Sequence, residues 1–296
     1  MKPFRYFAPL TLQEAFGLLS AYRGEARLLA GGTDLLVEMK EKRVVSPYVI
    51  DLKRIPGLNR IVLEPRLLRI GALASIREVE VSPLVKAHAG LLADAAAVLG
   101  SLQVRNRGTI GGNLCHASPA ADLAPPLIAL EAKVKIQGPD AERVEDLEDF
   151  FTGSGCTAVK AGEILAEVEI PLPGPRTCGT YLKFSPRKAM DLAVAGVAVV
   201  IALSWPDRVC AKARIALGAV APTPIRARQA EKRLEGKKID GSLLEEAARI
   251  AASEARPISD LRGSAWFRQE MVKVLVKQAV EQTLHRIQSW PWEVWS

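Results

Sequence analysis

The sequence lacks the cysteine spacing of a metal or cluster site. Its four cysteines, Cys115, Cys156, Cys178 and Cys210, lie far apart along the chain, and no C-x-x-C pair occurs. Zinc ribbons and iron–sulfur proteins need closely spaced thiolates, so neither class fits this chain. The three histidines form no metal-spaced pair either. We therefore expect the cysteines to be buried free thiols.

The sequence also has no apolar run long enough to span a bilayer. Its first residues lack the basic segment, apolar core and small-residue cleavage site of a secretory signal. The chain has 296 residues, 49% of them hydrophobic and 25% charged, which is ordinary for globular proteins of two or more domains. We expect a cytoplasmic protein without a membrane span.

Positive charge is in excess, but it is unevenly distributed along the chain. Residues 1–175 hold 20 Lys and Arg against 21 Asp and Glu, whereas residues 176–296 hold 20 against 12. Such asymmetry is found in nucleic-acid binders, and also in proteins with a solvated basic helical face. No aromatic residues interleave with the basic ones and no nucleic-acid motif is present, so we expect no nucleic-acid partner.

Two nucleotide-binding motifs, G-x-G-x-x-G and G-x-x-x-x-G-K-[ST], are absent. Instead, Gly-Gly precedes a predicted helix twice, in LLAGGTDLLVEM (28–39) and in TIGGNLCHASPAADLAPPL (109–127). Glycine lets backbone amides approach a ligand, and a helix start adds unpaired N–H donors, which suits an anion. Two such loops indicate a ligand with two phosphates, or a phosphate and a polar group, between two subdomains. Ordinary turns are the alternative.

Hydrophobic periodicity divides the chain into three units. Residues 1–56 read as a small α/β unit in which Thr11 caps a first helix, and residues 57–175 read as a second unit. The second unit has predicted helices over 84–99 and 122–132 and a strand over 163–173. A segment rich in proline and glycine (171–179) leads to a third unit, residues 176–296, with an antiparallel sheet and two long helices. Its tail carries Trp290, Trp292 and Trp295, which either anchor another subunit or fold back onto the same domain.

The segments LLAGGTDLL, RNRGTIGGNLCHASPAADLAPPL, EILAEVEIP and YLKFSPRKAMDLAV resemble, in order and spacing, the FAD-binding medium subunit of molybdenum hydroxylases. The xanthine dehydrogenase and aerobic carbon monoxide dehydrogenase group belongs to this family. The resemblance covers essentially the whole chain. It implies an α+β fold with two PCMH-type FAD-binding subdomains, followed by a C-terminal domain of antiparallel sheet plus helices.

The resemblance also implies which residues bind FAD. They are Leu29, Ala30, Gly31, Gly32, Thr33, Asp34, Leu35, Thr109, Ile110, Gly111, Gly112, Asn113, Ser118, Asp122, Leu165 and Lys183. Residues 30–35 and 109–113 would wrap the two sides of the diphosphate. Asp122 would contact the adenosine part or brace its loop, and Leu165 would line the cleft. Lys183 would lie near the flavin ring, supported by Arg187 and Asp191, and Leu99 matches a position that is aromatic in some members.

Several of these residues also have a simpler interpretation that involves no cofactor. Asp122 has the position of a helix N-cap, Lys183 that of a solvent-facing strand residue, and Asn113 that of a turn residue. A cation near the flavin would stabilise its anionic reduced form. Cys115 and His116 stand beside the second loop, and we interpret them as packing and supporting residues.

Function follows from the resemblance as an expectation. The chain would be the FAD-carrying oxidoreductase subunit of a heterotrimer, or a dimer of heterotrimers. A molybdopterin-containing large subunit and a [2Fe–2S] small subunit would be its partners. Electrons would pass from the iron–sulfur partner to FAD, and then to NAD+, a quinone or another acceptor. No catalytic acid, base, nucleophile or metal ligand is expected in this chain. A stand-alone FAD-dependent oxidoreductase and a binding module with purely structural Gly-Gly turns remain the alternatives.

Overall fold

A computed structural model describes residues 1–187 and 190–289. Its first unit is built on a three-stranded parallel sheet. The elements are β1 (Arg5–Phe7), α1 (Leu12–Ala21), β2 (Ala26–Leu29), α2 (Leu35–Lys40) and β3 (Tyr48–Asp51), followed by a 3-10 helix (Leu52–Arg54). The strand order is β1-β3-β2, with Leu29 opposite Asp51. Since parallel strands end at the same edge, the chain leaving β2 and the chain leaving β3 emerge side by side.

Helix α1 begins where the sequence predicts. The Thr11 side chain accepts a hydrogen bond from the Glu14 amide at 3.1 Å, which satisfies one of the amides left free at a helix start. Ala15 and Phe16 are buried against the sheet, while Gly17 on the other side is exposed. The core around them also includes Ile50 and, from later in the chain, Ile164 and Ala166, so it is shared with the rest of the molecule.

The second unit carries a five-stranded antiparallel sheet covered on one face by helices. Its elements are β4 (Ile61–Leu63), β5 (Leu67–Gly71), α3 (Ile76–Val81), α4 (Pro83–His88), α5 (Gly90–Val98), α6 (Leu102–Arg105), α7 (Ile110–His116), α8 (Ala124–Ala129), β6 (Lys133–Gln137), β7 (Glu142–Asp146), α9 (Leu147–Phe150), β8 (Phe151–Gly153), β9 (Cys156–Thr157) and β10 (Ile164–Pro171). The order is β4-β5-β10-β6-β7. Alternate side chains of β5 and β6 are buried, as expected for a sheet with one covered face, whereas the central strand β10 is buried along most of its length.

Two helix predictions in this unit are wrong in extent. The predicted helix over 84–99 is split into α4 and α5, because the chain is not helical at Ala89, where φ is −143°, and glycine follows. The predicted helix over 122–132 is reduced to α8. It begins at Ala124 with Pro125 and Pro126 in its first turn, where proline costs no hydrogen bond.

The third unit is an antiparallel sheet with helices on one face. Its elements are β11 (Thr177–Phe184), β12 (Ala195–Leu203), β13 (Cys210–Gly218), β14 (Ile225–Arg226), α10 (Arg228–Leu234), α11 (Gly241–Glu254) and α12 (Ala265–Ser289). The order is β11-β12-β13-β14. Helices α10, α11 and α12 and one face of the sheet form a separate apolar core. The predicted α+β class, with an antiparallel C-terminal domain, is confirmed.

The opposite face of this third sheet packs on the second unit. Tyr181, Ala198, Val200 and Ala216 belong to the same apolar core as α5 and α8. The contact is close, since a Cβ at Gly218 would lie 2.7 Å from Cγ of Pro125. The third unit therefore covers the second one near the start of α8.

All four cysteines are free thiols as predicted, but the predicted burial is wrong for most of them. Cys115 and Cys156 are exposed, Cys178 is half-buried, and only Cys210 is buried. Exposure follows from position, because Cys156 lies in a short two-stranded sheet at the surface and Cys115 on α7 faces a cleft. Within the described part of the chain, no group of His, Cys, Asp and Glu has the geometry to hold a metal ion.

Helices long and apolar enough to cross a membrane are absent from the described residues. The tryptophan-rich tail, for which two roles were predicted, lies outside them.

Candidate functional site

A cleft of about 640 Å³ opens between the three units. The first unit contributes residues 28–35, the second contributes residues 108–122 in part, and the third contributes residues 190–192. Leu165 of β10 and Leu99 after α5 line it as well. Both Gly-Gly loops thus face one cavity of the size that ligands occupy in proteins.

The first glycine loop offers free amides to this cleft. The N–H groups of Gly32, Thr33 and Asp34 donate to no acceptor among the described residues, and all three residues line the cleft. Gly32 has a φ of +78°, which favours glycine. The Thr33 hydroxyl donates to Asp34 Oδ2 at 3.1 Å. Polar backbone groups normally find partners, so this loop is arranged for an anionic ligand or for water.

The second glycine loop is held rigidly from behind. Residues 108–111 pair with residues 72–76 through three backbone hydrogen bonds, including Gly111 N to Ala72 O at 2.8 Å. A Cβ at Gly111 would lie 2.6 Å from Cβ of Ala72, so only glycine fits there. The Thr109 hydroxyl accepts from the amide of Gly112 at 3.0 Å and caps α7. The loop is therefore positioned by the second unit before any ligand arrives.

The two glycine loops touch each other. A Cβ at Gly31 would lie 2.0 Å from the Arg107 carbonyl oxygen, and one at Gly112 would lie 3.9 Å from Cβ of Ala30. At the mouth of the cleft, His116 Nε2 lies 4.0 Å from Asp34 Oδ1. The glycine at position 31 is thus needed for the approach of the two units as much as for a ligand.

Asp122 joins the second and third units in a buried polar cluster. Its Oδ1 accepts from the Tyr181 hydroxyl and its Oδ2 from Lys183 Nζ, both at 2.8 Å, and the Asp122 and Lys183 side chains are only 7% and 6% exposed. Burial raises the pKa of Asp122 against the opposing pull of Lys183, and burial together with Asp122 raises the pKa of Tyr181 well above its usual value. Removing either charge would leave the other buried and unpaired.

The helix-cap interpretation of Asp122 is wrong, since α8 begins at Ala124 and the Asp122 side chain caps nothing. The solvent-facing interpretation of Lys183 is wrong too, because its ammonium group is enclosed between Asp122 and the Val98 carbonyl, which lies 3.4 Å away. The family resemblance implies separate cofactor contacts for Asp122 and Lys183, and the structure brings the two residues into one pair.

The wall of the cleft at residues 98–100 is fixed by three donors, one from β11, one from α6 and one from the loop before β12. Val98 O accepts from Lys183 Nζ, Leu99 O from an Arg105 guanidinium nitrogen at 3.0 Å, and Gly100 O from the Met190 amide at 3.2 Å. Arg105 is itself oriented by Glu80 at 2.8 Å. Leu99 lines the cleft as well. The family resemblance indicates that some members have an aromatic residue at this position.

Thirteen of the sixteen predicted binding residues line the cleft. The three that do not are Leu29 and Ile110, which are buried behind the loops, and Lys183 behind Asp122. Arg187 pairs with Asp191 at 3.3 Å, and Asp191 lines the cleft. Cys115 and His116 are exposed and line it too, so a packing role is wrong for them, while their supporting role beside the second loop stays a prediction. Their position on α7, one turn after Gly111 and Gly112, indicates that they face the cleft.

The residues present fit a dinucleotide. Besides the free amides of the first loop, Asn113 Oδ1 is buried at the cleft without a hydrogen-bond partner among the described residues, which is costly unless a ligand hydroxyl or water donates to it. Glycines remove side chains where a diphosphate would approach, and Leu99 and Leu165 offer apolar walls for rings.

Comparisons with known proteins agree along most of the chain. A family described as "FAD binding domain in molybdopterin dehydrogenase" matches residues 2–173, and one described as "CO dehydrogenase flavoprotein C-terminal domain" matches residues 180–283. This chain belongs to the FAD-binding medium subunits of the molybdenum hydroxylase family. Its cofactor is FAD, and it is an oxidoreductase subunit of the xanthine and carbon monoxide dehydrogenase type.

Individual relatives of this medium subunit differ in their substrates. The carbon monoxide dehydrogenase medium chain of Hydrogenophaga pseudoflava is 38% identical, covering 94% of this chain and 96% of its own. The glyceraldehyde dehydrogenase medium chain of Sulfolobus acidocaldarius is 36% identical, covering 94% and 98%. A solved structure of the Hydrogenophaga pseudoflava carbon monoxide dehydrogenase superimposes with a TM-score of 0.93 at 36% identity, covering 96% of this chain and 98% of that one.

Proposed function

We propose that this medium subunit carries electrons between a [2Fe–2S] partner subunit and a soluble or membrane acceptor. The support is the cleft itself, which combines free backbone amides, a glycine cradle and a buried unpaired amide oxygen in a chain of the FAD-binding family. When bound, FAD supplies the redox chemistry, taking up electrons from the partner and releasing them to NAD+, a quinone or another acceptor.

The residues of the chain have binding and positioning roles in this proposal. The amides of residues 31–34 and the second glycine loop bind the diphosphate, and Asn113 accepts a hydrogen bond from a cofactor hydroxyl. Lys183, held by Asp122, supplies a buried cation beside the wall at residues 98–100. Leu99, Leu165 and Met190 limit the access of water to the cleft. No acid or base catalyst is required of this chain, because it only has to hold and orient the cofactor.

The same proposal includes a molybdopterin-containing large subunit and a [2Fe–2S] small subunit as partners. The relatives are named medium chains, and the described residues contain no group able to hold a metal. Substrate chemistry therefore belongs to the partners. The relatives act on carbon monoxide and glyceraldehyde by name, so the substrate of this complex is left open.

The first test is a visible spectrum of the purified chain with chromatography of the cofactor released on denaturation. One FAD per chain is expected, and a chain that neither carries nor takes up FAD contradicts the proposal. Purification from the native host through an N-terminal tag should then yield a larger and a smaller chain together with molybdenum and iron. Full turnover by the isolated chain with NADH and a dye would favour the stand-alone oxidoreductase instead.

A further inference from the structure

Lys53 lies behind the first glycine loop, outside the cleft. Its Nζ donates to the Ala30 carbonyl oxygen at 3.0 Å and to Asp51 Oδ1 at 2.8 Å. The contact follows from the fold, because β2 and β3 are parallel neighbours. Ala30 follows the end of β2 and Lys53 follows the end of β3 at the same edge of the sheet.

Asp51 holds the lysine in place. Its carboxylate is buried at the end of β3, accepts from the Tyr6 hydroxyl at 2.6 Å through Oδ2, and accepts from the Lys53 amide at 3.0 Å through Oδ1. Burial alone would raise the pKa of Asp51, but the hydrogen bonds from Lys53 and Tyr6 outweigh it, so its pKa lies below the ordinary value. The carboxylate is therefore charged at neutral pH and fixes the ammonium group.

The contact to Ala30 determines the direction of the next amide. The peptide bond between Ala30 and Gly31 is trans, so its C=O and N–H groups point in opposite directions. Lys53 draws the carbonyl away from the cleft, which turns the Gly31 N–H toward it. That amide has no acceptor among the described residues, and Gly31 lines the cleft.

We propose that Lys53, fixed by Asp51 and Tyr6, is a positioning residue for the cofactor diphosphate. It orients the Ala30–Gly31 peptide so that the first loop presents its amides in advance, and it adds a cation behind the loop. This assignment rests on the proposed function of the cleft as the FAD site. The cluster parallels Tyr181, Asp122 and Lys183 on the other side, where a lysine paired with an aspartate also donates to a backbone carbonyl.

The test is the affinity of the full-length chain, freed of flavin, for FAD and for ADP. FAD is titrated by flavin fluorescence, ADP by competition. Lys53→Met should weaken both ligands by about ten-fold or more, since one well-placed charged hydrogen bond has this effect. Lys53→Arg should recover most of the affinity. Arg54→Met is the matched control, because it removes the same charge one residue away, from an exposed side chain without a contact to the loop.

The melting temperature of the flavin-free chain separates positioning from folding. We expect Lys53→Met to leave it nearly unchanged and to reduce the rise in melting temperature that FAD produces. The assignment is overturned if Lys53→Met binds FAD with wild-type affinity, or if Arg54→Met loses as much FAD affinity as Lys53→Met. Neither result would contradict FAD binding in the cleft. A wild-type chain that binds no FAD overturns the proposed function and the assignment together. If Lys53→Met does not fold, Tyr6→Phe decides, with an expected two- to three-fold weakening (about 0.5 kcal/mol) and unchanged affinity overturning the assignment.

Discussion

At the scale of single residues, glycine shows most directly how the two loops depend on each other. Gly31→Ala would bring a Cβ within 2.0 Å of the Arg107 carbonyl oxygen, and backbone cannot yield as a flexible side chain does. We expect this variant to lose FAD binding by more than about ten-fold, because the loops must separate. Titration with FAD measures the loss.

Gly17→Ala is the control for this glycine prediction. Gly17 lies inside α1, is exposed and has open space around it. The same substitution should stabilise the chain there by about 1 kcal/mol, because alanine favours a helix, and should leave FAD affinity unchanged. Normal FAD affinity in Gly31→Ala would show that the close approach of the loops is dispensable.

The Asp122–Lys183 pair gives a second prediction at this scale. Asp122→Asn leaves the buried ammonium group of Lys183 without its counter-charge, and we expect a loss of about 3 kcal/mol in the free energy of unfolding. The double variant Asp122→Asn/Lys183→Met should lose less than the sum of the two single losses, because neither charge is then left unpaired. Urea unfolding of all four proteins measures the coupling. Additive losses would mean that the two side chains act independently.

At the scale of elements, the wall at residues 98–100 depends on donors outside it, from Arg105 six residues further on to Lys183 and Met190 much later in the chain. Arg105→Met removes the donor to Leu99 O and frees Glu80 from one of its partners. We expect a mobile wall, seen as a several-fold weaker FAD affinity and as readier quenching of the bound-flavin fluorescence by iodide, because solvent enters the cleft. Arg143→Met is the control, because Arg143 is also ion-paired but lies on an edge strand of the second sheet, away from this wall. Equal effects of both substitutions would point to general destabilisation instead.

The sequence alone predicts those elements whose signals are local. Both glycine loops, the cap at Thr11 and the three long strands of the third unit follow from short-range patterns, and the structure has them in place. The split after α4 was missed because the alanine-rich run around Ala89 favours a helix on propensity, whereas the backbone leaves the helical region at Ala89, just before Gly90. Lys53 was missed because its role arises only once β2 and β3 are paired in parallel.

The contact between Asp122 and Lys183 could not be predicted from the sequence either. Asp122 and Lys183 were both found through a family resemblance, yet nothing in the sequence says that residues in different units share a hydrogen bond. That information lies in the packing of the third sheet on α5 and α8. Burial then makes a carboxylate and an ammonium group depend on each other, and this pairing excludes the interpretations as a cap and as a surface lysine.

At the scale of the whole molecule, charged contacts link the third unit to the second. Glu131, just after α8, accepts from Lys212 Nζ at 2.5 Å and from Arg214 at 2.9 Å, both on β13. Asp94 of α5 pairs with Arg286 of α12 at 2.9 Å. Several of the excess basic residues of the third unit therefore form ion pairs with carboxylates of the second unit. The uneven distribution of charge along the chain is explained in part by these contacts.

The Glu131 contact predicts a pH dependence of stability with a definite sign. Burial would raise the pKa of Glu131, but its bonds to Lys212 and Arg214 outweigh burial, and its pKa lies below the ordinary value of about 4.3. A lowered pKa in the folded state means that the contact stabilises the chain above the unfolded-state pKa. The contribution is lost as the pH falls through the folded-state pKa.

Glu131→Gln tests this link between the units. At pH 7 we expect a loss of up to about 1 kcal/mol in the free energy of unfolding, because the carboxylate is 43% exposed and solvent screens the pair. The difference from wild type should shrink at 0.5 M salt, and it should be smaller at pH 3 than at pH 7, because lowering the pH moves Glu131 toward its protonated form. Urea unfolding at pH 7 and pH 3, at low and high salt, measures it. A difference of the same size at pH 3 and at pH 7 would mean that Glu131 acts through packing, and the units would then be joined mainly by their shared apolar core.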